Sequence, residues 1–205
     1  MVDLRDLKEL QLDALREVAN IGAGHAATAL SQLTDRRIMI SVPQIYVQRL
    51  EQVPDLLGDA EEVVAAVLMH MLGDLTGRML LVVPQANAML LSDLLLRREP
   101  GGTTEFGDLE QSSLKEAGNI LGGAYMNALS DFMGMMLLPS VPSLAVDLAG
   151  AVLSTTHLSF GRDKDVVFCV ETNFHFEEAD ATLRGHFLLL PDLASLKTIF
   201  DAIRV

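Results

Sequence analysis

The positions of apolar and polar residues along the chain predict one order of elements in its first half. At about 100° per residue, the apolar positions between residues 4 and 33 fall on one side of a long helix. The alternation over 37–50 predicts an extended segment. Apolar runs at 62–72 and 77–83 flank a turn-rich stretch and predict a hairpin. Helical periodicity returns at 85–96, so this half predicts helix, three strands, helix.

The second half repeats this order. A second long helix is predicted over 108–133, with Asp108 as its cap and Gln111 three residues further on. The next segment, 135–158, is apolar and broken by prolines, which predicts extended structure. Strands are predicted at 166–170 and 183–190, and a final helix at 192–203.

Two such units predict an α+β fold. Hairpin-like connections with segregated helices favour a largely antiparallel sheet, and three strands alone make a marginal sheet. We therefore predict one pseudo-two-fold domain with about six strands, flanked by the two long helices. Its internal repeats span about 4–98 and 106–205, and 97–104 is predicted to link them.

Each long helix has an apolar side and a polar side. The apolar sides are formed by Leu15, Val18, Gly22, Ala26, Ala29 and Leu33, and by Leu114, Ala117, Leu121 and Ala128. The opposite sides carry Asp13, Glu17, Asn20 and Gly24, and Ser112, Glu116, Asn119 and Gly123. Each glycine within a helix costs about 1 kcal/mol relative to alanine, which predicts that another backbone passes close by. A helix end or a kink near Gly22 is the alternative.

Composition and charge exclude several classes of function. The net charge of −13 argues against nucleic acid and against an anionic membrane surface as partners. The sequence contains no apolar run of the roughly 20 residues that span a bilayer, and residues 1–6 are charged rather than signal-like. These features predict a cytoplasmic protein without membrane insertion. Cys169, inside an apolar run, is predicted to be a buried structural thiol.

The polar sides of the two helices carry the same motif. Asp13 or Ser112 is followed after four residues by Glu17 or Glu116, and after three more by Asn20 or Asn119. Each member lies 99 residues from its counterpart, and a proline follows each asparagine by 23 positions, at Pro43 and Pro142. A solvated helix face would explain one copy. Two copies at equal spacing indicate a duplicated site.

The chemistry of the motif is incomplete in each copy. No histidine or cysteine shares the stripe, so a nucleophile–base pair is not available. One carboxylate and one amide do not make a metal cage, and the five histidines show no ligand spacing, so no metal site is predicted. A carboxylate can pair with a partner's lysine, and an amide can orient water for in-line attack. The motif therefore predicts half of a site that a partner completes.

The motif resembles the signature of the CheC/CheX/FliY family of chemotaxis phosphatases. It is met twice in full, by Asp13, Glu17, Asn20 and Pro43 and by Ser112, Glu116, Asn119 and Pro142. The resemblance covers essentially the whole chain. Two sites without a following flagellar-switch domain point to the CheC type. CheX-like members are expected to keep one site, and FliY-like members carry the additional domain.

The resemblance implies a phosphatase that hydrolyses the phosphoaspartate of the response regulator CheY. Asn20 and Asn119 would orient the attacking water, and Glu17 and Glu116 would pair with the regulator's lysine. Asp13 and Ser112 would flank the docking face. The regulator would supply Mg²⁺, so no cofactor of the chain's own is expected, and CheD is implied as a second partner.

Two other interpretations remain open at this point. In the first, the chain is a non-catalytic adaptor that binds CheY or CheD. In the second, it is an adhesion or switch-assembly protein in which the repeat is purely architectural.

Overall fold

The computed structural model describes residues 9–49, 53, 59–158, 166–176 and 181–202. The helices in this part are α1 (Glu9–Thr34), α2 (Gln85–Leu95), α3 (Asp108–Met133), α4 (Ala149–Leu158) and α5 (Leu193–Ala202). The strands are β1 (Ile38–Ile40), β2 (Gln44–Arg49), β3 (Val63–Gly73), β4 (Gly77–Pro84), β5 (Leu137–Pro139), β6 (Ser143–Leu148), β7 (Val166–Phe176) and β8 (Ala181–Pro191). Residues 4–8, predicted to begin the first helix, lie outside the described part.

The strands form one sheet in the order β1-β7-β8-β4-β3-β5, with β2 also paired to β7 and β6 also paired to β3. All of these pairs are antiparallel, as the sequence predicted. The sheet has eight strands where about six were expected. The prolines explain the difference, because Pro43 separates β1 from β2 and Pro142 separates β5 from β6. Proline lacks the N–H that a continuous ladder requires.

The outer strands of each half pair with the other half of the chain. Ile38 of β1 lies opposite Phe176 of β7, and Leu137 of β5 lies opposite Gly73 of β3. Main-chain hydrogen bonds between the two halves continue beyond the ends of these strands. The Ser41 amide donates to the Asn173 carbonyl at 3.0 Å, and the Ser140 amide donates to the His70 carbonyl at 2.9 Å. Each half therefore completes the sheet of the other.

One face of the sheet is covered by α1, α2, α3 and α5, and the other by α4 together with Val53. α1 runs without interruption through Gly22 and Gly24, so the alternative of a helix end there is wrong. The predicted apolar side of α3 is buried throughout. On α1 the predicted side is buried from Leu15 to Ala26, whereas Leu33 is exposed.

Gly22 lets the two long helices touch. A Cβ at this position would lie 2.6 Å from Cδ1 of Tyr125 on α3. The Tyr125 ring stacks on Phe187 at a centroid distance of 4.7 Å, and its hydroxyl lies 3.2 Å from the Thr172 hydroxyl. The close approach that the small residues predicted is thus confirmed at Gly22.

Two local predictions are corrected. Residues 149–158 form the helix α4 rather than extended chain, and Ala149, Val152 and Leu153 bury its inner side. An apolar run this short does not distinguish a buried strand from a buried helix. At the start of α3, the cap position is Gly107 and not Asp108. Gln111 donates from Nε2 to the Phe106 carbonyl instead of completing a capping box.

The predicted linker over 97–104 is anchored by Asp93, which is fully buried at 0% exposure. Its carboxylate accepts from the main-chain amides of Gly101 and Gly102 at 2.8 and 2.9 Å and from the Thr103 hydroxyl at 2.6 Å. Burial alone would raise the pKa of Asp93, but these hydrogen bonds outweigh it and lower the pKa below its usual value. The connection between the two halves is therefore a fixed loop.

Among the described residues, no helix is both long enough and apolar enough to cross a membrane.

Candidate functional site

Both copies of the motif lie on the outward sides of their helices. Glu17 and Asn20 are exposed on α1, Glu116 is exposed on α3, and Asn119 is half-buried beside it. Within each helix, the glutamate and asparagine are three residues apart and therefore point to the same side of adjacent turns. The polar faces predicted from the sequence are confirmed, and each pair presents its carboxylate and amide to solvent.

Within the described part of the chain, the side chains of Glu17, Asn20, Glu116 and Asn119 have no hydrogen-bond or ion-pair partner. Within that part, these carboxylates and amides form no hydrogen bond or ion pair that stabilises the fold. Polar side chains of this kind can pair with groups on a partner without first breaking internal bonds.

Asp13 and Ser112, the first members of the two motifs, are both exposed. The Asp13 carboxylate accepts a hydrogen bond from Nη1 of Arg16 at 2.6 Å, and both side chains are more than half exposed. An exposed pair of this kind contributes about 1 kcal/mol or less to stability. Ser112 carries no charge to pair with Lys115, which occupies the equivalent position on α3. The two sites therefore differ in charge at their N-terminal ends.

The inner sides of the same helix turns hold the motif on the sheet. Beneath Glu17 and Asn20, α1 buries Leu15, Val18 and Ala19 around an apolar cavity of about 50 Å³. On α3, a Cβ at Gly118 would lie only 2.5 Å from Cγ1 of Val67. Each asparagine therefore projects from a helix that packs directly on the core.

The exposed sides extend one turn beyond the asparagines. We define the docking stripes as Glu17, Asn20, Ile21 and Gly24 on α1, and Glu116, Asn119, Ile120 and Gly123 on α3. Their spacing of i, i+3, i+4 and i+7 places each set on one helix face. Ile21 is 42% exposed and adds an apolar side chain to the stripe on α1. The isoleucines were not among the predicted site residues, although their helical spacing from the motif was a usable signal.

Cys169, His70 and His186 lie on strands, away from the stripes. Cys169 is buried in β7, where burial raises the pKa of its thiol to about 12, as expected for a structural cysteine. His70 and His186 lie on strands, as predicted. No group of three or more metal-binding side chains occurs among the described residues. The amides of the stripes can hydrogen-bond a water and the carboxylates can pair with a partner's cation, but the stripes contain no nucleophile–base pair.

Comparison with known proteins places the two motifs inside a family signature. The profile of the CheC-like family matches residues 10–47 and 109–146, which contain both motifs with their prolines. The CheY-P phosphatase CheC of Bacillus subtilis is 35% identical over 96% of this chain and 95% of its own length. The flagellar motor switch phosphatase FliY of the same organism is 30% identical over 62% of this chain and 33% of its own.

Solved structures support the fold. The crystal structure of Thermotoga maritima FliY matches 97% of this chain and 98% of that chain, with a TM-score of 0.79 and 22% identity. The middle domain of FliM from H. pylori matches 96% of this chain and 99% of that chain, with a TM-score of 0.69 and 14% identity. At these identities the likeness concerns the fold alone.

Proposed function

The chain belongs to the CheC-like family, and on that premise we propose that it is a protein phosphatase that hydrolyses the phosphoaspartate of phosphorylated CheY. One observation carries the proposal. Within the two segments that match the family profile, each long helix presents a glutamate and an asparagine that are unengaged within the described part of the chain. Identity of 35% to a CheY-P phosphatase over nearly the whole chain supports the same reaction.

In this mechanism the asparagine amides act on water. An amide both donates and accepts hydrogen bonds, so Asn20 or Asn119 can hold a water in line with the phosphorus atom. The bond from the water oxygen to phosphorus forms as the bond to the aspartyl oxygen breaks, which yields inorganic phosphate and a free carboxylate. Because a loose transition state depends mainly on positioning and charge stabilisation, the chain need not supply a general base.

The glutamates position the partner. Glu17 and Glu116 pair with the lysine of the regulator's active site, a charge-assisted bond worth about 1.5 to 3 kcal/mol. Asp13 and Ser112 contact the regulator at the edge of the same face. In this proposal the Mg²⁺ belongs to the regulator, where it neutralises phosphoryl charge, and the chain needs no cofactor of its own.

The test is phosphate release from CheY of Bacillus subtilis after phosphorylation by a small-molecule donor. We expect Asn20→Ala and Asn119→Ala each to leave the other site active, and the double variant to lose about 10²-fold or more in kcat/KM, the loss typical of a misplaced reactant. Gln32→Ala, an exposed amide on α1 about two turns beyond Gly24, is the matched control. A double variant as active as the wild type would contradict the role of the asparagines.

The adaptor alternative predicts a different pattern in the same assay. An adaptor would bind phosphorylated CheY without accelerating phosphate release, and the asparagine variants would not change the decay rate. Glu17→Gln with Glu116→Gln separates binding from chemistry. We expect this double variant to raise KM by roughly 10-fold, through loss of a charged bond, with a smaller change in kcat.

We also propose CheD as a second partner and the cytoplasm as the compartment. Both rest on the family membership and on the proposed substrate. Co-purification with CheD from the same organism and cell fractionation test them.

A further inference from the structure

Gly24 and Gly123 occupy the last positions of the two docking stripes, four residues after Asn20 and Asn119. Both lie inside 26-residue helices, where glycine is the poorest former after proline. A Cβ placed at either position would find no neighbouring atom within 4 Å. The fold of the described residues therefore gives no reason for glycine at these two positions.

The other glycines of the same helices differ in this respect. A Cβ at Gly22, Gly118 or Gly122 would lie 2.6, 2.5 or 2.7 Å from the nearest atom of Tyr125, Val67 or Met69. Internal packing requires Gly22 and Gly118, whereas the nearest atom at Gly122 belongs to the flexible end of the Met69 side chain. Gly24 and Gly123 face outward instead, and each follows the asparagine of its motif by four residues.

The rest of each stripe indicates what approaches the glycines. The i, i+3, i+4, i+7 spacing is typical of the anchors by which a helix docks on another surface. Ile21, between Asn20 and Gly24, is 42% exposed, whereas its counterpart Ile120 is half-buried. Gly24 lies about 6 Å along the helix axis from Asn20, so a partner that covers Asn20 also covers Gly24.

We infer that Gly24 and Gly123 are positioning residues at which the main chain of the phosphorylated regulator lies directly against the helix. The inference rests on the proposed function and deepens it. Contact between the two backbones fixes how far the neighbouring asparagine reaches towards the phosphoryl group. A methyl group at the glycine would hold the partner away, and a misplacement of about 1 Å can cost roughly 10²-fold in rate.

The experiment measures the melting temperature and the phosphate release of a variant that carries both Gly24→Ala and Gly123→Ala. Because alanine favours the helix and has free space at both positions, we expect each substitution to raise the melting temperature by about 2 to 4 °C. We expect kcat/KM for phosphate release to fall by roughly 10²-fold. Binding to CheY that carries beryllofluoride in place of the phosphoryl group should weaken in parallel. Leucine, also a good helix former, should lower activity further at both positions.

Controls separate this effect from a general one. Asp131→Ala, at an exposed position of α3 about two turns beyond Gly123, should stabilise the helix without changing phosphate release. Gly24→Ala in the Asn119→Ala background, and Gly123→Ala in the Asn20→Ala background, assign the effect to each site.

Three outcomes would overturn the inference. Wild-type kcat/KM in the double alanine variant would exclude contact at the glycines. Loss of activity together with a lower melting temperature would indicate a structural role instead. Loss of activity with unchanged binding to the beryllofluoride form would exclude a docking role. The proposed function fails separately, through an active double asparagine variant.

Discussion

His186 lies within β8 with 2% of its surface exposed, and its Nε2 has no hydrogen-bond partner in the described part of the chain. Burial lowers its pKa to about 4, and the nearby Arg184 guanidinium acts in the same direction. Glu171 opposes the shift, but it is paired with Arg184 at 3.0 Å. The imidazole is therefore neutral in the folded protein at neutral pH.

This histidine should make stability depend on pH between about 6.5 and 4. The unfolded chain takes up a proton near pH 6.5, whereas the folded protein does so only near pH 4. The free energy of unfolding therefore falls as the pH falls through this window, by about 3 kcal/mol at pH 4. His186→Leu should remove most of this dependence in urea denaturation at pH 7, 5 and 4.

The exposed His70 on β3 provides the control, since His70→Gln should keep the wild-type dependence. Hydrogen bonds that outweigh burial hold the pKa values of Asp93 and Asp192 below the usual range. These two carboxylates therefore affect stability at lower pH than His186 does. Their stabilisation is lost only as the pH falls below about 4. An unchanged slope between pH 7 and 4 in His186→Leu would contradict the assignment.

At the scale of elements, the contact between α1 and α3 depends on Gly22. Gly22→Ala would place a Cβ 2.6 Å from the Tyr125 ring and 3.1 Å from its Cα. The ring has little freedom to move, because it stacks on Phe187. We expect a net loss of about 2 kcal/mol in the free energy of unfolding, since overpacking outweighs the gain in helix propensity.

Gly24→Ala, two residues further along the same helix, is the matched control for this measurement. It makes the same change of residue in open space and should raise stability. Equal effects of the two substitutions in urea denaturation would show that α1 does not pack on Tyr125 as described.

The sequence could predict the long helices, but it could not predict which residues contact them. The 26-residue periodicity of α1 and α3 identified both helices and the outward sides that carry Glu17 and Glu116. It could not identify Tyr125 as the neighbour of Gly22, because that contact joins residues about 100 positions apart. The anchor at Asp93 was missed for a different reason. Its partners include the main-chain amides of residues 101–103, which leave no side-chain pattern.

At the scale of the whole molecule, the sheet depends on strands exchanged between the halves. The central pair β4–β8 joins one strand from each half, with Leu80 opposite Leu188. On either side, β7 pairs with β1 and β2, and β3 pairs with β5 and β6. A sequence repeat predicts two similar units, but the repeat does not specify which unit supplies each edge. We propose that the chain is a single domain of two interlocked repeats.

Separate fragments 1–98 and 99–205 test this arrangement. Without its partner, the first fragment leaves an edge of β3 unpaired and the second leaves an edge of β7 unpaired, and both strands are rich in buried apolar side chains. Unpaired apolar edges favour aggregation. We expect neither fragment to unfold cooperatively as a monomer, and the two together to restore a cooperative transition and phosphate release. Because β7 needs β1 and β2, cooperative unfolding of monomeric 99–205 would show instead that the halves are separate domains.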